Sequence, residues 1–159
     1  MKDQTGPAMQ QLKVLHVEDD RSVARAVARL LRIKGYEVTS AASGAEAVQV
    51  VENGLVPDVI LTDYHLPFEM TGVQVVAEIT TRLGFTPPTI MLASVQYPDA
   101  EKVMSVADRV FEKPADILLA VHEIQHLLSA RSIETSDCPA AGEGGRLLSR
   151  RPVFTSAGD

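Results

Sequence analysis

The sequence predicts an α/β domain of the (βα)5 type, in which five strands form a mostly parallel sheet and a helix follows each strand. Short apolar runs alternate with helical apolar patterns from Lys13 to about Arg131, and this alternation is typical of such domains. The run Val59-Ile60-Leu61-Thr62 is continuous rather than alternating, as expected of a central strand that helices cover on both faces. The turn and capping residues between the runs indicate where each element begins and ends.

The first two strand-helix units are bounded by capping and turn residues. After a strand at residues 14–17, Asp20 can cap a helix that Gly35 ends. After a second strand near residues 36–41, the capping-box pattern Ser43-Gly44-Ala45-Glu46 begins a short helix. The predicted inward positions of these two helices are Val23, Val27, Leu30, Leu31, Val48 and Val51.

The remaining three units are predicted over residues 59–129. The third strand ends at Asp63, and after a loop containing Pro67 the third helix ends at Gly84. The other predicted elements are a strand at Thr89 to Ala93, a short helix between Pro98 and Val106, a strand at Arg109 to Phe111 and a helix from Asp116 to Ser129. The predicted inward positions of the third and last helices are Val73, Val76, Ala77, Ile79, Leu118, Val121, Ile124 and Leu128.

The size and composition indicate one globular domain with two flanking segments. The chain has 159 residues, of which 45% are apolar, and this is the usual size of a single domain. We predict a flexible N-terminus at residues 1–11, the folded domain at 12–131 and a disordered tail at 132–159. The tail is rich in Ser, Gly, Ala, Pro and Thr and lacks an apolar period, so it buries too little surface to offset its ordering entropy.

Composition also argues against several classes of protein. No apolar run approaches the roughly 20 residues that cross a bilayer, and residues 1–12 lack the pattern of a secretory signal, so we expect a cytoplasmic protein without membrane contact. With Cys138 as the single cysteine, an intramolecular disulfide is impossible. The formal charge of −6 and the lack of a basic stripe before Arg146, Arg150 and Arg151 argue against direct DNA binding.

Three acids and one lysine follow predicted strands, at the edge where parallel sheets bind ligands. Glu18 and Asp19 follow the first strand, Asp63 ends the third, and Lys113 ends the fifth. A cluster of carboxylates beside one cation suits Mg²⁺, which prefers oxygen ligands and keeps several waters. The chemistry that this combination indicates is phosphoryl transfer, with Asp63 attacking in line.

Three motifs, Val17-Glu18-Asp19-Asp20, Asp63-Tyr64-His65-Leu66-Pro67 and Lys113-Pro114, together resemble those of the response-regulator receiver family. The resemblance covers residues 12–131. It implies a flavodoxin-like, doubly wound, five-stranded parallel sheet and the transfer of a phosphoryl group to Asp63 from a histidine kinase or phosphotransfer protein.

The resemblance also implies a role for each site residue. Asp19 would bind Mg²⁺ directly and Glu18 mostly through water, and Asp63 and the backbone carbonyl of His65 would be further metal ligands. Lys113 would hold Asp63 and later contact a phosphoryl oxygen, and the Lys113-Pro114 bond would be cis. Because no output domain follows in this sequence, output is expected in trans through an unknown downstream protein, and a homodimer is left open.

The switch positions of this sequence depart from the family pattern. A hydroxyl residue normally ends the fourth strand, and here Ser94 is preferred, with Ala93 as the alternative register. His65 and Gln96 occupy positions that tune the lifetime of the phosphoryl group in the family. The family often has an aromatic residue where this chain has Val110, so a non-phosphorylated interaction module is the alternative function.

A second metal motif competes with the acidic cluster. The stretch His122-Glu123-Ile124-Gln125-His126 fits the H-E-x-x-H pattern of zinc metalloproteases. Because no histidine follows His126 to serve as a third ligand, we interpret both histidines as solvent-facing residues of the last helix.

Overall fold

The computed structural model describes residues 10–68, 70–93 and 100–135. Its elements are β1 Lys13–Val17, α1 Arg21–Ile33, β2 Glu37–Ala41, α2 Gly44–Glu52, β3 Val59–Asp63, α3 Gly72–Leu83, β4 Thr89–Ala93, α4 Ala100–Val106, β5 Arg109–Glu112 and α5 Ile117–Thr135. The strands pair in the order β2-β1-β3-β4-β5, and all of the pairs are parallel. The predicted (βα)5 sheet, flavodoxin-like in its strand order, is therefore confirmed.

Helices cover the sheet on both faces, because successive strand residues point to opposite sides. On one face, α1 and α5 pack on Leu61 and its neighbours, whereas α2 and α3 pack on Ile60 on the other face. All five residues of β3 are buried. This explains why the sequence of β3 shows no polar alternation.

Side-chain caps begin the helices next to the strand ends. The carboxylate of Asp20 accepts hydrogen bonds from the backbone N–H groups of Ser22 and Val23, at 2.8 and 3.1 Å. Thr71 and Gln74 form a reciprocal capping box at the start of α3. These caps fix the points at which the chain leaves β1 and the loop after β3.

The inward face of α5 differs from the sequence prediction. Leu118 is 67% exposed, whereas Ala120, Val121 and Ile124 are buried. One helical residue turns the side chain by about 100°, so Leu118 lies on the side opposite to the fully buried Ala120. Ala77 of α3, also predicted to face inward, is exposed.

Helix α1 carries a stripe of arginines that the sequence analysis overlooked. Arg21, Arg25, Arg29 and Arg32 are exposed, and α1 contains no acidic residue. Their spacing keeps them within about a quarter turn of one another. The expectation that no basic stripe precedes the tail is therefore wrong.

The flanking segments fall mostly outside the described residues. Residues 1–9 and 136–159 are not described, and the domain division stays a prediction there. Helix α5 continues to Thr135, so the first residues of the predicted tail are helical. In the described part of the chain, none of the helices has the length and hydropathy needed to cross a membrane.

Candidate functional site

The predicted site residues converge at the carboxyl ends of the strands. Glu18 follows β1, Asp63 ends β3, and Lys113 follows β5, which lies at the edge of the sheet. The backbone N–H of Lys113 donates to the carbonyl oxygen of Ala93 at 2.9 Å, which continues the β4-β5 pairing beyond the strand. This pairing aims the lysine side chain across the end of β4 toward the two acids.

The ammonium of Lys113 holds two carboxylates at once. Its Nζ donates to Oδ2 of Asp63 at 2.8 Å and also to Oε2 of Glu18. Glu18 is only 2% exposed and Asp63 only 8%. Because an isolated buried charge is costly, the shared cation offsets part of the cost of placing two carboxylates away from water.

Burial and charge act in opposite directions at this ion cluster. Burial raises the pKa of Glu18, although the hydrogen bond and the charge of Lys113 oppose the rise. Burial by itself would lower the pKa of Lys113, but its hydrogen bonds to Asp63 and Glu18 outweigh that effect and the pKa is raised. Lys113 is therefore a permanent cation over the whole physiological pH range.

An acidic cluster with the chemistry of a magnesium site lies beside the lysine. One carboxylate oxygen from each of Glu18, Asp19 and Asp63 can be chosen so that all lie within 4.8 Å of one another. Asp19 is exposed, whereas the other two acids are buried. Because the donors are all hard oxygens and one side is open to solvent, the residues fit Mg²⁺ better than zinc.

The loop between β3 and α3 wraps closely around Asp63. The backbone N–H of His65 points at Oδ1 of Asp63 at 3.3 Å, and the N–H of Gly72 donates to the carbonyl of Tyr64 at 2.8 Å. A Cβ atom on Gly72 would lie 2.3 Å from the carbonyl oxygen of Asp63. Glycine is therefore required at this position for steric reasons, not for a special φ.

The sequence analysis missed this role of Gly72. The signal was available, because Thr71 and Gln74 already supply the capping box and a glycine contributes nothing to helix formation there. Such a glycine indicates that another backbone segment approaches closely. Which segment approaches is visible only in the fold.

The switch region is only partly described. Ala93 is buried among Tyr64, Met91 and Val103, and Val110 packs against the same cluster. Ser94 and Gln96 lie outside the described residues, so the choice between Ser94 and Ala93 as the hydroxyl position stays a prediction. The peptide bond between Lys113 and Pro114 is cis.

The H-E-x-x-H motif forms no metal site with other described residues. The rings of His122 and His126 are 5.6 Å apart on the exposed side of α5. The Glu123 carboxylate accepts a hydrogen bond from Arg109 at 3.2 Å, so the acid that a metalloprotease uses as a base is engaged in an ion pair. Within the described residues, the group able to hold a metal ion is the cluster of Glu18, Asp19 and Asp63.

His16 is a buried polar residue next to the site. It is 1% exposed, and within the described part of the chain neither ring nitrogen has a hydrogen-bond partner. Burial and the nearby charge of Lys113 lower its pKa from 6.5 to about 4. His16 is therefore neutral at physiological pH and packs in the core.

The fold and the site define a class of protein: a parallel α/β domain with an acidic pocket and a paired lysine at the carboxyl edge of its sheet. A family model described as the response regulator receiver domain matches residues 14–125. This chain belongs to the response regulator receiver domain family, whose members are signalling domains of two-component systems.

Individual relatives agree with this assignment. The chain is 33% identical over 124 residues to a cyclic di-GMP phosphodiesterase of Thermotoga maritima, with 76% of this chain and 32% of that protein covered. It is 36% identical over 117 residues to the two-component response regulator ORR6 of Oryza sativa subsp. japonica, with 70% of this chain and 64% of the relative covered. The chain thus spans about a third of the first relative and less than two thirds of the second.

A solved structure gives the same result at the level of the fold. The N-terminal domain of a response regulator/sensory box/GGDEF 3-domain protein from Carboxydothermus hydrogenoformans matches with a TM-score of 0.68 and 30% identity. The match covers 77% of this chain and 98% of that chain. Because it covers nearly all of that isolated domain, the receiver fold accounts for the described part of this chain.

Proposed function

We propose that this domain accepts a phosphoryl group on Asp63 from a histidine kinase or phosphotransfer protein, in a reaction that depends on Mg²⁺. The observation that carries the proposal is the contact of the Lys113 ammonium with both Asp63 and Glu18 inside a carboxylate cluster. A lysine in this position neutralises the acids before transfer and can then balance charge on the phosphoryl group. Residues 12–131 form the receiver domain in this proposal.

The side chain of Asp63 is the nucleophile in this transfer. A carboxylate oxygen of Asp63 forms a bond to phosphorus while the bond from phosphorus to the donor imidazole nitrogen breaks, and the departing imidazole takes up a proton. Of the two carboxylate oxygens, Oδ2 contacts Lys113 and Oδ1 faces the N–H of His65. Both contacts orient the carboxylate for in-line attack.

Glu18, Asp19, Asp63 and the backbone carbonyl of His65 would hold the Mg²⁺ ion. When bound, the ion supplies positive charge that stabilises the phosphoryl oxygens during transfer. The exposed Asp19 leaves the open side through which donor and ion can enter. After transfer, the hydroxyl of Ser94 would contact the phosphoryl group, with Ala93 at this position in the alternative register. His65 and Gln96 would tune the lifetime of the phosphoryl group.

The arginine stripe of α1 is placed to contact the phosphodonor. α1 begins directly after Asp20, at the edge of the site, so a protein that reaches Asp63 also passes the first turns of α1. An acidic surface on the donor would complement Arg21 and Arg25 and speed association at low salt. In this proposal the domain is cytoplasmic and does not bind DNA directly. The phosphorylated domain would pass its signal to a separate downstream protein. The domain acts as a monomer or homodimer.

A non-phosphorylated interaction module is the second candidate function. Two features support it: in the alternative register the buried Ala93 would occupy the hydroxyl position, and Val110 stands where the family often has an aromatic residue. Such a module would keep the fold and bind its partner in one state only.

Mass spectrometry after incubation with a small phosphodonor separates the two functions. Acetyl phosphate with Mg²⁺ is expected to add one phosphoryl group to the intact chain, and Asp63→Asn or omission of Mg²⁺ is expected to abolish the gain. The matched control is Asp58→Asn, because Asp58 lies before β3 at the other edge of the sheet, accepts a hydrogen bond from the N–H of Lys13 at 2.7 Å and can keep that bond as asparagine. No gain in the unsubstituted chain would support the second function.

A further inference from the structure

A groove of about 740 Å³ lies at the amino ends of the strands, on the edge of the sheet opposite to the acidic site. The segments that lead into β1, β3 and β4 line it, together with the last turns of α5. We call it the basal groove and define it by the side chains of Leu12, Tyr36, Val56, Phe85 and Leu128.

The basal groove exposes apolar surface that a folded domain would normally cover. Leu12 is 43% exposed, Val56 is 51% exposed, and Phe85 is 49% exposed. Three large exposed apolar side chains thus line one concave surface, and exposed apolar patches mark sites of contact. Covering them would remove apolar surface from water, and this favours binding.

Helix α5 ends near the groove, so the C-terminal segment of this chain begins there. The helix starts after β5 at the carboxyl edge and runs back to the amino edge, where Ser129 lines the groove. Thr135, the last described residue, lies six residues beyond Ser129, about 9 Å along the helix. The undescribed residues 136–159 therefore start close to the groove.

The apolar residues of this segment are concentrated in one short stretch. Within residues 136–159 the large aliphatic and aromatic residues are Leu147, Leu148, Val153 and Phe154. Twelve residues separate Thr135 from Leu147 in sequence number, and such a chain reaches up to about 40 Å when extended. The stretch can therefore fold back onto the groove beside α5.

Apolar content favours this stretch over the N-terminal residues. The charge of the groove does not distinguish the two segments, because both Asp58 and Lys34 line it. Residues 1–9 also lead into the groove through Gln10, but they contain no branched aliphatic or aromatic side chain. They offer less apolar surface to cover Val56 and Phe85.

We propose that residues 146–154 bind the basal groove of their own molecule, with their leucines, valine and phenylalanine against Leu12, Val56 and Phe85. A segment that cannot fold alone can still order on a preformed surface. The short connection to α5 raises its effective concentration at the groove to roughly the millimolar range. This interaction lies at the edge opposite to Asp63 and does not depend on phosphorylation.

A nitroxide spin label tests the proposal on the full chain. Cys138 is the single cysteine, so a Cys138→Ser, Ser149→Cys variant places one label inside the stretch. We expect the amide NMR signals of Tyr36, Val56 and Phe85 to be lost in the labelled chain and to return when the label is reduced. Signals of residues at the acidic edge, such as Asp63, should persist.

Control samples distinguish the proposal from the alternative occupants of the groove. Adding Leu147→Asp and Phe154→Asp to the labelled chain should restore the groove signals, because these substitutions remove the apolar contact without touching the folded domain. Groove signals that are unaffected by the label at residue 149, or still lost with both substitutions, would overturn the proposal. If the groove signals are lost in a mixture of labelled molecules and isotope-enriched unlabelled molecules, a second copy of the chain occupies the groove. If the groove signals are lost only with a label at Ala8→Cys, the N-terminal residues occupy it. Either result overturns the proposal.

Discussion

The two edges of the sheet differ in which groups they bury: the carboxyl edge buries charged groups, and the amino edge exposes apolar ones. At the carboxyl edge, the charged groups of Glu18 and Asp63 are almost completely buried and share the ammonium of Lys113. At the amino edge, the apolar side chains of Val56 and Phe85 are about half exposed. In most folded proteins charged side chains are exposed and large apolar side chains are buried. The buried groups of the carboxyl edge are therefore paired charges, whereas the half-exposed groups of the amino edge are apolar.

The two edges should differ most in how much stability is lost when a lysine is replaced at each of them. Lys113→Met leaves Glu18 buried beside Asp63 without a cation, and removing one partner of a buried ion pair costs about 3–5 kcal/mol. We expect the free energy of unfolding at neutral pH to fall by an amount in that range in urea denaturation. Lys34→Met, at the exposed amino edge, should change it by less than about 0.5 kcal/mol.

A double variant sharpens the same test. Glu18→Gln removes the charge that Lys113 compensates, so Lys113→Met combined with Glu18→Gln should recover much of the lost stability. Equal losses in the single and double variants would show that Lys113 acts through packing and not through charge.

The next largest effect is the pH dependence of the free energy of unfolding that comes from His16, in the carboxyl half of β1. Its pKa is about 4 in the folded protein against an ordinary value of 6.5, so the unfolded chain binds more protons between these pH values. Stability contributed by neutral His16 is therefore present above pH 6.5 and is lost as the pH falls toward 4. The predicted loss is roughly 3 kcal/mol.

His16→Leu isolates this contribution, since leucine fills a similar space and does not titrate. The difference in free energy of unfolding between the unsubstituted chain and His16→Leu should grow steadily as the pH falls from 6.5 to 4, in favour of the variant. Parallel pH profiles of the two proteins would mean that His16 is hydrated or paired in solution.

A smaller effect is expected from matched glycine substitutions at the two edges. A Cβ on Gly72 would lie 2.3 Å from the carbonyl oxygen of Asp63, whereas a Cβ on Gly35 meets nothing within 4 Å. Gly72→Ala should therefore cost about 2–3 kcal/mol through overpacking, and it should also slow phosphorylation by acetyl phosphate because Asp63 shifts. Gly35→Ala should cost only about 1 kcal/mol, from its positive φ of 92°, and leave phosphorylation unchanged.

The smallest effect should come from the apolar patch itself. Val56→Ser replaces a side chain that the described residues leave half exposed, and a substitution of this kind changes the free energy of unfolding of the folded domain by about 0.5 kcal/mol or less. Thermal unfolding of Val56→Ser and Gly72→Ala under the same conditions provides the check. Any larger loss that comes from the proposed contact with residues 146–154 should disappear when Leu147→Asp and Phe154→Asp are also present, and a large loss that persists there would contradict the prediction.

The order of the elements could be read from local patterns, but the direction of individual side chains could not. The apolar run of β3 and the capping residues Asp20 and Thr71 predict the elements because propensity and capping depend on near neighbours. Leu118 was assigned to the wrong side of α5 because that choice depends on which helix face the sheet accepts. Here the small Ala120 lies against the sheet, and this packing decides the rotation of the helix.

The sequence by itself determined that three acids and a lysine follow strands of one parallel sheet, because strand ends and motif positions are local features of the chain. Only the tertiary structure decided that Lys113 bridges Glu18 and Asp63, that Gly72 touches the backbone of Asp63, and that a groove opens at the amino edge. These contacts join residues that are distant in sequence. Their distances follow from how helices and strands pack together, which no local pattern of residues specifies.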